Sequence, residues 1–237
     1  MNKLFAILFP VIFMMFSNLA MADWLLSSET KALIVQAESG DTDAQLRVGA
    51  AYDFGKGAPH DATEALKWYR RAADHGSAEA QNSVGSVLQA EKRYAEALPW
   101  YEKASAQGHA HATSNLAYLY DLGLGVTQDR HKGFDLYSRA ADLGWAEAMW
   151  NIANMYGAGQ LGEIDMVNAC VWAMRARKFA APRERQLLDH LSRVIPQLQR
   201  SLTAEQLKSC NLQSEGWEPM ALPKKNGHSD NQPEAAK

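Results

Sequence analysis

Ser28 and Lys31 stand three residues apart, the spacing of the serine nucleophile and lysine in an SxxK motif, and Ser229, Asp230 and Asn231 spell the SDN that accompanies it in β-lactam-reactive enzymes. Acylation of a serine in that chemistry needs both groups in one pocket beside a KTG strand. KTG is absent, SDN falls in a polar tail, and no stretch shows a strand pattern, so both matches read as chance. HExxH, GxSxG and a phosphate-binding loop are absent too. His109 and His111 are two positions apart at a helix start and would point different ways, which favours surface roles over a metal site. Cys170 and Cys210 are the only cysteines. They can form a disulfide if the chain is exported, or Cys170 can be a small core residue where other repeats carry Leu66, Leu98 and Phe134. No cofactor is called for by any of these groups.

The elements that would position such residues repeat along the chain. Aligned on its alanines, the sequence falls into four units, 41–76, 77–108, 109–144 and 145–180, three of 36 residues and one of 32. Each opens with an alanine (Ala44, Ala80, Ala112, Ala148), followed four residues on by Val48, Val84, Leu116 or Ile152 and then a small residue. Tyr52, Leu88, Tyr120 and Tyr156 take the next turn, so the i, i+4, i+8 spacing predicts one buried helical stripe. A second stripe runs from Trp68, Trp100, Leu136 and Trp172 to Ala72, Ala104, Ala140 and Ala176, and Gly76, Gly108 and Gly144 stop three units. Each unit is therefore a helical hairpin. One hairpin cannot bury both of its apolar faces, so the units must stack.

Gly55, Gly57 and Asp61 in the first loop align with Gly123, Gly125 and Asp129 in the third, and the fourth keeps Gly159 and Asp165. Single carboxylates one repeat apart cannot build a cation shell, and each reads as a helix cap. Outside the repeats, Lys3, the apolar run from Leu4 to Phe16 and the Ala20-Met21-Ala22 site mark residues 1–22 as a secretory signal peptide, with an uncleaved anchor as the alternative. Cleavage after Ala22 predicts a periplasmic or secreted protein. Residues 23–40 form an N-terminal cap around a helix over 28–39 whose Leu33 and Ala37 match Tyr69 and Ala73. Residues 181–221 form a C-terminal helical cap striped by Leu187, Leu188, Leu191, Val194, Ile195 and Leu198, with Pro196 expected to bend or end its first helix. Thr203 and Gln206 have capping-box spacing, and the polar tail 222–237 is expected to be disordered.

"GLGVTQD" followed by "DLYSRAADLG", and "DATEALKWYRRAADHG", resemble the Sel-one-like repeat family, relatives of the tetratricopeptide repeat with an AxxxLG start, a GxGVxxD loop and a WYxKAAxxG ending. "LTAEQ" at 202–206 and "WEP" at 217–219 look like the closing segment that follows such repeats. Two departures stand out: unit two lacks four loop residues, and Leu161 replaces the second loop glycine in unit four. The resemblance implies an all-α fold, an α/α solenoid of stacked hairpins forming a tetratricopeptide-like superhelix between N- and C-terminal capping helices. Hydrolysis of cell-wall or β-lactam substrates, attributed to some members, is the alternative function it raises.

The expected activity is noncatalytic binding of a protein or peptide segment of the cell envelope along the concave side of the array. The side chains expected there are Arg47, Asn82, Ser86, Asn115, Tyr118, Trp150, Asn151 and Asn154, amides for an extended backbone and rings for apolar contact. The alternative is that Asn115 and Asn151 bond within the repeats and Trp150 packs on an adjoining hairpin. Without Lys3 the net charge is −4, which argues against nucleic acid. Residues 175–208 carry eight basic against three acidic side chains, a solvated helix face unless that region meets acidic partners or anionic lipid.

Overall fold

The computed structural model describes residues 25–220, so the signal-peptide reading, the SDN triplet and the expected disordered tail lie outside the described residues. Eleven helices and no strand occur among them. The chain divides into two compact units, the first ending at Leu136 and the second beginning at Tyr137. In the first, α1 (Ser28–Glu38), α2 (Thr42–Phe54), α3 (Ala62–Asp74), α4 (Ala78–Ala90), α5 (Tyr94–Ala106) and α6 (Ala110–Leu122) each pack on the next. The odd step is also made: α2 touches α4, and α4 touches α6. Then come α7 (Arg130–Asp142), α8 (Ala146–Gly157), α9 (Met166–Phe179), α10 (Arg185–Arg200) and α11 (Ala204–Glu215). In the second unit α8 pairs with α9, and α9 also packs on α10 and α11. No described helix is long and apolar enough to cross a membrane.

The predicted stripes are buried at their small and aliphatic positions, while Tyr52, Trp100, Leu136, Tyr156 and Trp172 are partly buried. Ala44, Val48, Ala80, Val84, Leu88, Ala112 and Leu116 are all at most 5% exposed. Within the first two hairpins the small residue after the aliphatic one receives the tyrosine ring of the second helix. A Cβ added at Gly49 would lie 2.5 Å from Tyr69 Cδ1, and one at Gly85 2.5 Å from Tyr101 Cε1. Glycine there serves close packing, because a methyl group would displace a ring that is fully buried. α1 takes the role of a second helix with no first: Leu33 and Ala37 cluster with Ala44, Val48 and Trp68.

The loops show why their residues recur. Asp61, Asp129 and Asp165 each accept, through Oδ1, a backbone N–H of the helix that follows, from Glu64, Lys132 and Asn168. Their own N–H groups donate to the carbonyls of Tyr52, Tyr120 and Tyr156 at 3.0, 2.8 and 3.0 Å, so the last residue of the stripe and the cap close one loop. Gly125, with φ +68°, lies against the start of α5, where a Cβ would meet the backbone of Tyr94 and Ala95; that position needs glycine for both conformation and space. Gly57 meets Ser27 and Thr30 at the start of α1 in the same way. Unit two has no such loop. A short connection with Lys92 at φ 61° joins α4 to α5 instead, and Arg93 N donates to Leu88 O, the equivalent of the tyrosine carbonyls.

In the second unit Cys170 of α9 and Cys210 of α11 form a disulfide with Cα atoms 6.0 Å apart, both residues buried beside Val171. Ser27 and Thr203 cap α1 and α11, the latter in a full capping box with Gln206. Of the two outcomes expected at Pro196, it does not end its helix: α10 runs on to Arg200. The proline forfeits a single backbone bond one turn from the helix end, while Leu191 and Ile195, 0% and 2% exposed, anchor the helix against the core. After α11 the chain folds back on α9. Trp217 meets Trp172 and Phe179 edge-on at 5.7 and 5.5 Å, with the Arg175 guanidinium over both indoles.

Candidate protein-binding cleft

A cleft lined by several hydrogen-bonding side chains opens in the first unit. α4 supplies Ser86, Gln89 and Ala90, α5 supplies Tyr94 and Tyr101, and α6 supplies His111, Asn115 and Tyr118, around about 340 Å³. Three of the ladder residues expected from the sequence, Ser86, Asn115 and Tyr118, thus share one site. The helical period explains the grouping: residues three and four apart on α6 lie on one face, and α4 presents its own such row beside it.

A chain of polar contacts joins the two hairpins beneath the cleft. Asn115 Nδ2 donates to Asn82 Oδ1 at 3.3 Å, and Asn82 Nδ2 lies 3.5 Å from His111 Nδ1. Asn82 is 4% exposed, so it holds the site together from below and is not a surface contact. Gln107 donates to Gln81 Oε1 at 2.8 Å. His109 is the N-cap of α6. Its Nδ1 accepts the N–H of Ala112, and its Nε2 sits 2.8 Å from Glu79 Oε2 of the preceding hairpin. At a helix start a ring nitrogen can do the work of the usual serine or aspartate. Tyr101, with no exposed surface, donates its hydroxyl to Gln89 Oε1 at 3.0 Å, and burial pushes the phenol up to about 12, so it stays a donor at neutral pH.

Burial also drives the His111 imidazole down to about 4; repulsion from His109 adds to this and the Glu79 carboxylate opposes it. Glu79 is held below the usual carboxylate range chiefly by its hydrogen bond from His109. Both shifts have the same consequence for stability. His111 folded below its free value of 6.5 binds a proton less readily than the unfolded chain, so stability present above 6.5 is lost as pH falls toward 4. Lowered Glu79 likewise contributes stability lost on acidification. Urea midpoints measured across that range should fall with pH, and His111→Gln should flatten the decline; an unchanged slope would contradict the burial argument.

The remaining ladder residues have surroundings of their own. Exposed Arg47 is spent on Glu29 of α1 at 3.0 Å, an exposed pair of small energetic weight. In the second unit Trp150 packs edge-on against His190 of α10 with centroids 4.8 Å apart, while Asn151 is half-buried and Asn154 exposed. Ser28 and Lys31 both lie exposed in the first turn of α1, whose capping contact is made by the neighbouring Ser27 with Thr30. Among the described residues no three His, Cys, Asp or Glu side chains gather as a metal site. In the basic region, Lys178 contacts Glu218 at 2.7 Å and Arg175 donates to Gln213 O, so these two cations bind the chain's own C-terminal segment.

A family model described as Sel1 repeat matches residues 42–77, 78–109, 110–145 and 146–173. Among solved structures, the chain is similar to a protective antigen present in uropathogenic Escherichia coli strains that displays an SLR fold. That match has 27% identity and a TM-score of 0.71, over 78% of this chain and 39% of that one. A Sel1 repeat protein from Oxalobacter formigenes matches with 30% identity and a TM-score of 0.58, over 67% of each chain. Among curated proteins, an exopolysaccharide production negative regulator from Rhizobium meliloti (strain 1021) is 27% identical over 146 residues, 60% of this chain and 46% of the relative. The chain therefore spans less than half the length of both the antigen and the regulator.

Proposed function

The chain belongs to the Sel1 repeat family, and from that premise we propose that it is an exported, noncatalytic scaffold that holds a segment of a partner protein against α4 and α6. The observation that carries this reading is the cleft itself, in which Ser86, Gln89 and Asn115 offer hydrogen bonds beside the half-exposed ring of Tyr118. Amides and tyrosines are the groups that recognise an extended backbone and its apolar side chains with little loss of entropy. Export to the periplasm or beyond is supported by the leader-like residues 1–22 and by the Cys170–Cys210 bridge, which suits an oxidising compartment. The likeness to a protective antigen accords with that placement.

Replacing Asn115 and Tyr118 together by alanine is expected to weaken capture of partners from an envelope extract by about tenfold or more, with the circular dichroism of the helices unchanged. Capture that survives the double change would place the binding surface elsewhere. No observation favours hydrolysis, since Ser28 and Lys31 are exposed on the capping helix. A chromogenic β-lactam should turn over no faster with the protein than without it, and Ser28→Ala should change nothing.

A further inference from the structure

We infer that the cleft selects a polypeptide stretch without charged side chains, and that His111 sets this selectivity; the inference rests on the protein-binding reading of the same cleft. The eight residues that line it include no Asp, Glu, Lys or Arg. Of the ionic groups nearby, the Glu79 carboxylate pairs with His109 and the Arg93 guanidinium with both Glu91 and Glu96, while Lys92, in the connection after Ala90, is not among the lining residues. A carboxylate or ammonium laid into the cleft would shed water and meet no counter-charge among the lining residues, which is unfavourable for either sign. His111 is the one lining side chain able to become cationic. The groups that face it electrostatically are His109 on its own helix and Glu79 on α4, and its ring stays neutral until pH falls to about 4.

The polar groups that remain match a neutral backbone. Gln89 uses its Oε1 to accept from Tyr101, which leaves the donors of its NH2 group, whereas Asn115 uses Nδ2 to donate to Asn82, which leaves Oδ1 as an acceptor. One amide thus suits a peptide C=O and the other a peptide N–H. Tyr118 is 39% exposed and Leu122, one turn further along α6, 46%, so an uncharged side chain leaving that backbone has an apolar surface to cover.

The test is a random-peptide display selection at neutral pH on the immobilised full chain, run in parallel on Asn115→Ala/Tyr118→Ala, on His111→Lys and on His111→Gln. Expected are peptides that the double variant loses by about tenfold and that share a block free of Asp, Glu, Lys and Arg. His111→Gln, neutral like the native ring, should still select blocks without charged residues, whereas His111→Lys should select acidic residues into the block. Peptides that depend on Asn115 and Tyr118 but carry a fixed charge in the block would overturn the inference and leave the protein-binding reading standing. If His111→Lys does not fold, enrichment of charged peptides by His111→Gln decides against it equally. Peptides indifferent to the double variant, or a neutral glycan from an array held through the same two residues, would remove the protein-binding reading and the inference with it.

Discussion

Tyr101→Ala is expected to destabilise the first unit by about 3–5 kcal/mol, read as a lower urea midpoint of the helical circular dichroism signal. The ring has no exposed surface and fills the space left by Gly85, with the α4 backbone immediately behind it. Removing it leaves a cavity that the surrounding helices cannot close, because α4 is fixed on its other sides by α3 and α6. Tyr101→Phe is the control: it keeps the ring and loses only the hydroxyl's contacts with Gln89 and Ser86, which costs about 1 kcal/mol. Since each hairpin is stabilised by its neighbours, the alanine change should also loosen α6 against α4 and so disturb the cleft. A loss for Tyr101→Ala no larger than that for Tyr101→Phe would mean that ring-into-glycine packing does not hold the hairpins.

Reducing the Cys170–Cys210 bridge is expected to act on the second unit. The two cysteines are 40 residues apart, and freeing the loop between them returns entropy to the unfolded chain worth about 4 kcal/mol. The loop contains α10 and most of α11, which reach the last hairpin through α9. Cys170→Ser with Cys210→Ser should therefore raise hydrogen exchange in α10 and α11 first, with α1–α5 protected as before. Uniform loss of protection along the chain would contradict a fold stabilised between neighbours. The bridge also keeps α11 on α9, from which the chain continues to Trp217 and its contacts with Trp172 and Phe179.

Much of this is legible in the sequence, and for physical reasons. A helix that buries one face must repeat apolar residues every turn, so Ala44, Val48 and their counterparts in the other units disclose both the hairpins and their stacking. The loop aspartates are readable because a cap position accepts few residue types. Pairings between distant positions are harder to see. Spacing alone cannot tell whether Cys170 faces Cys210, and nothing in a helical period says that Gly85 is small in order to receive Tyr101. Asn82 is misread as a surface rung because burial by a neighbouring hairpin is a tertiary fact. Five lining residues lie outside the expected ladder, and of these Gln89, Tyr94 and His111 have no counterpart pattern in the other units. One signal was available: unit two lacks the glycine loop, and the short connection beside Gln89, Ala90 and Tyr94 borders the cleft.

What touches Tyr118 decides most directly whether α4 and α6 form the binding face. A photo-crosslinking amino acid placed at that position in the full-length protein, activated in intact cells and followed by mass spectrometry, should join one envelope protein through a segment without charged side chains. The same probe at Ser28, on the capping helix, should not join that protein. Crosslinks to the partner from Ser28 and none from Tyr118 would contradict the assignment of α4 and α6 as the binding face.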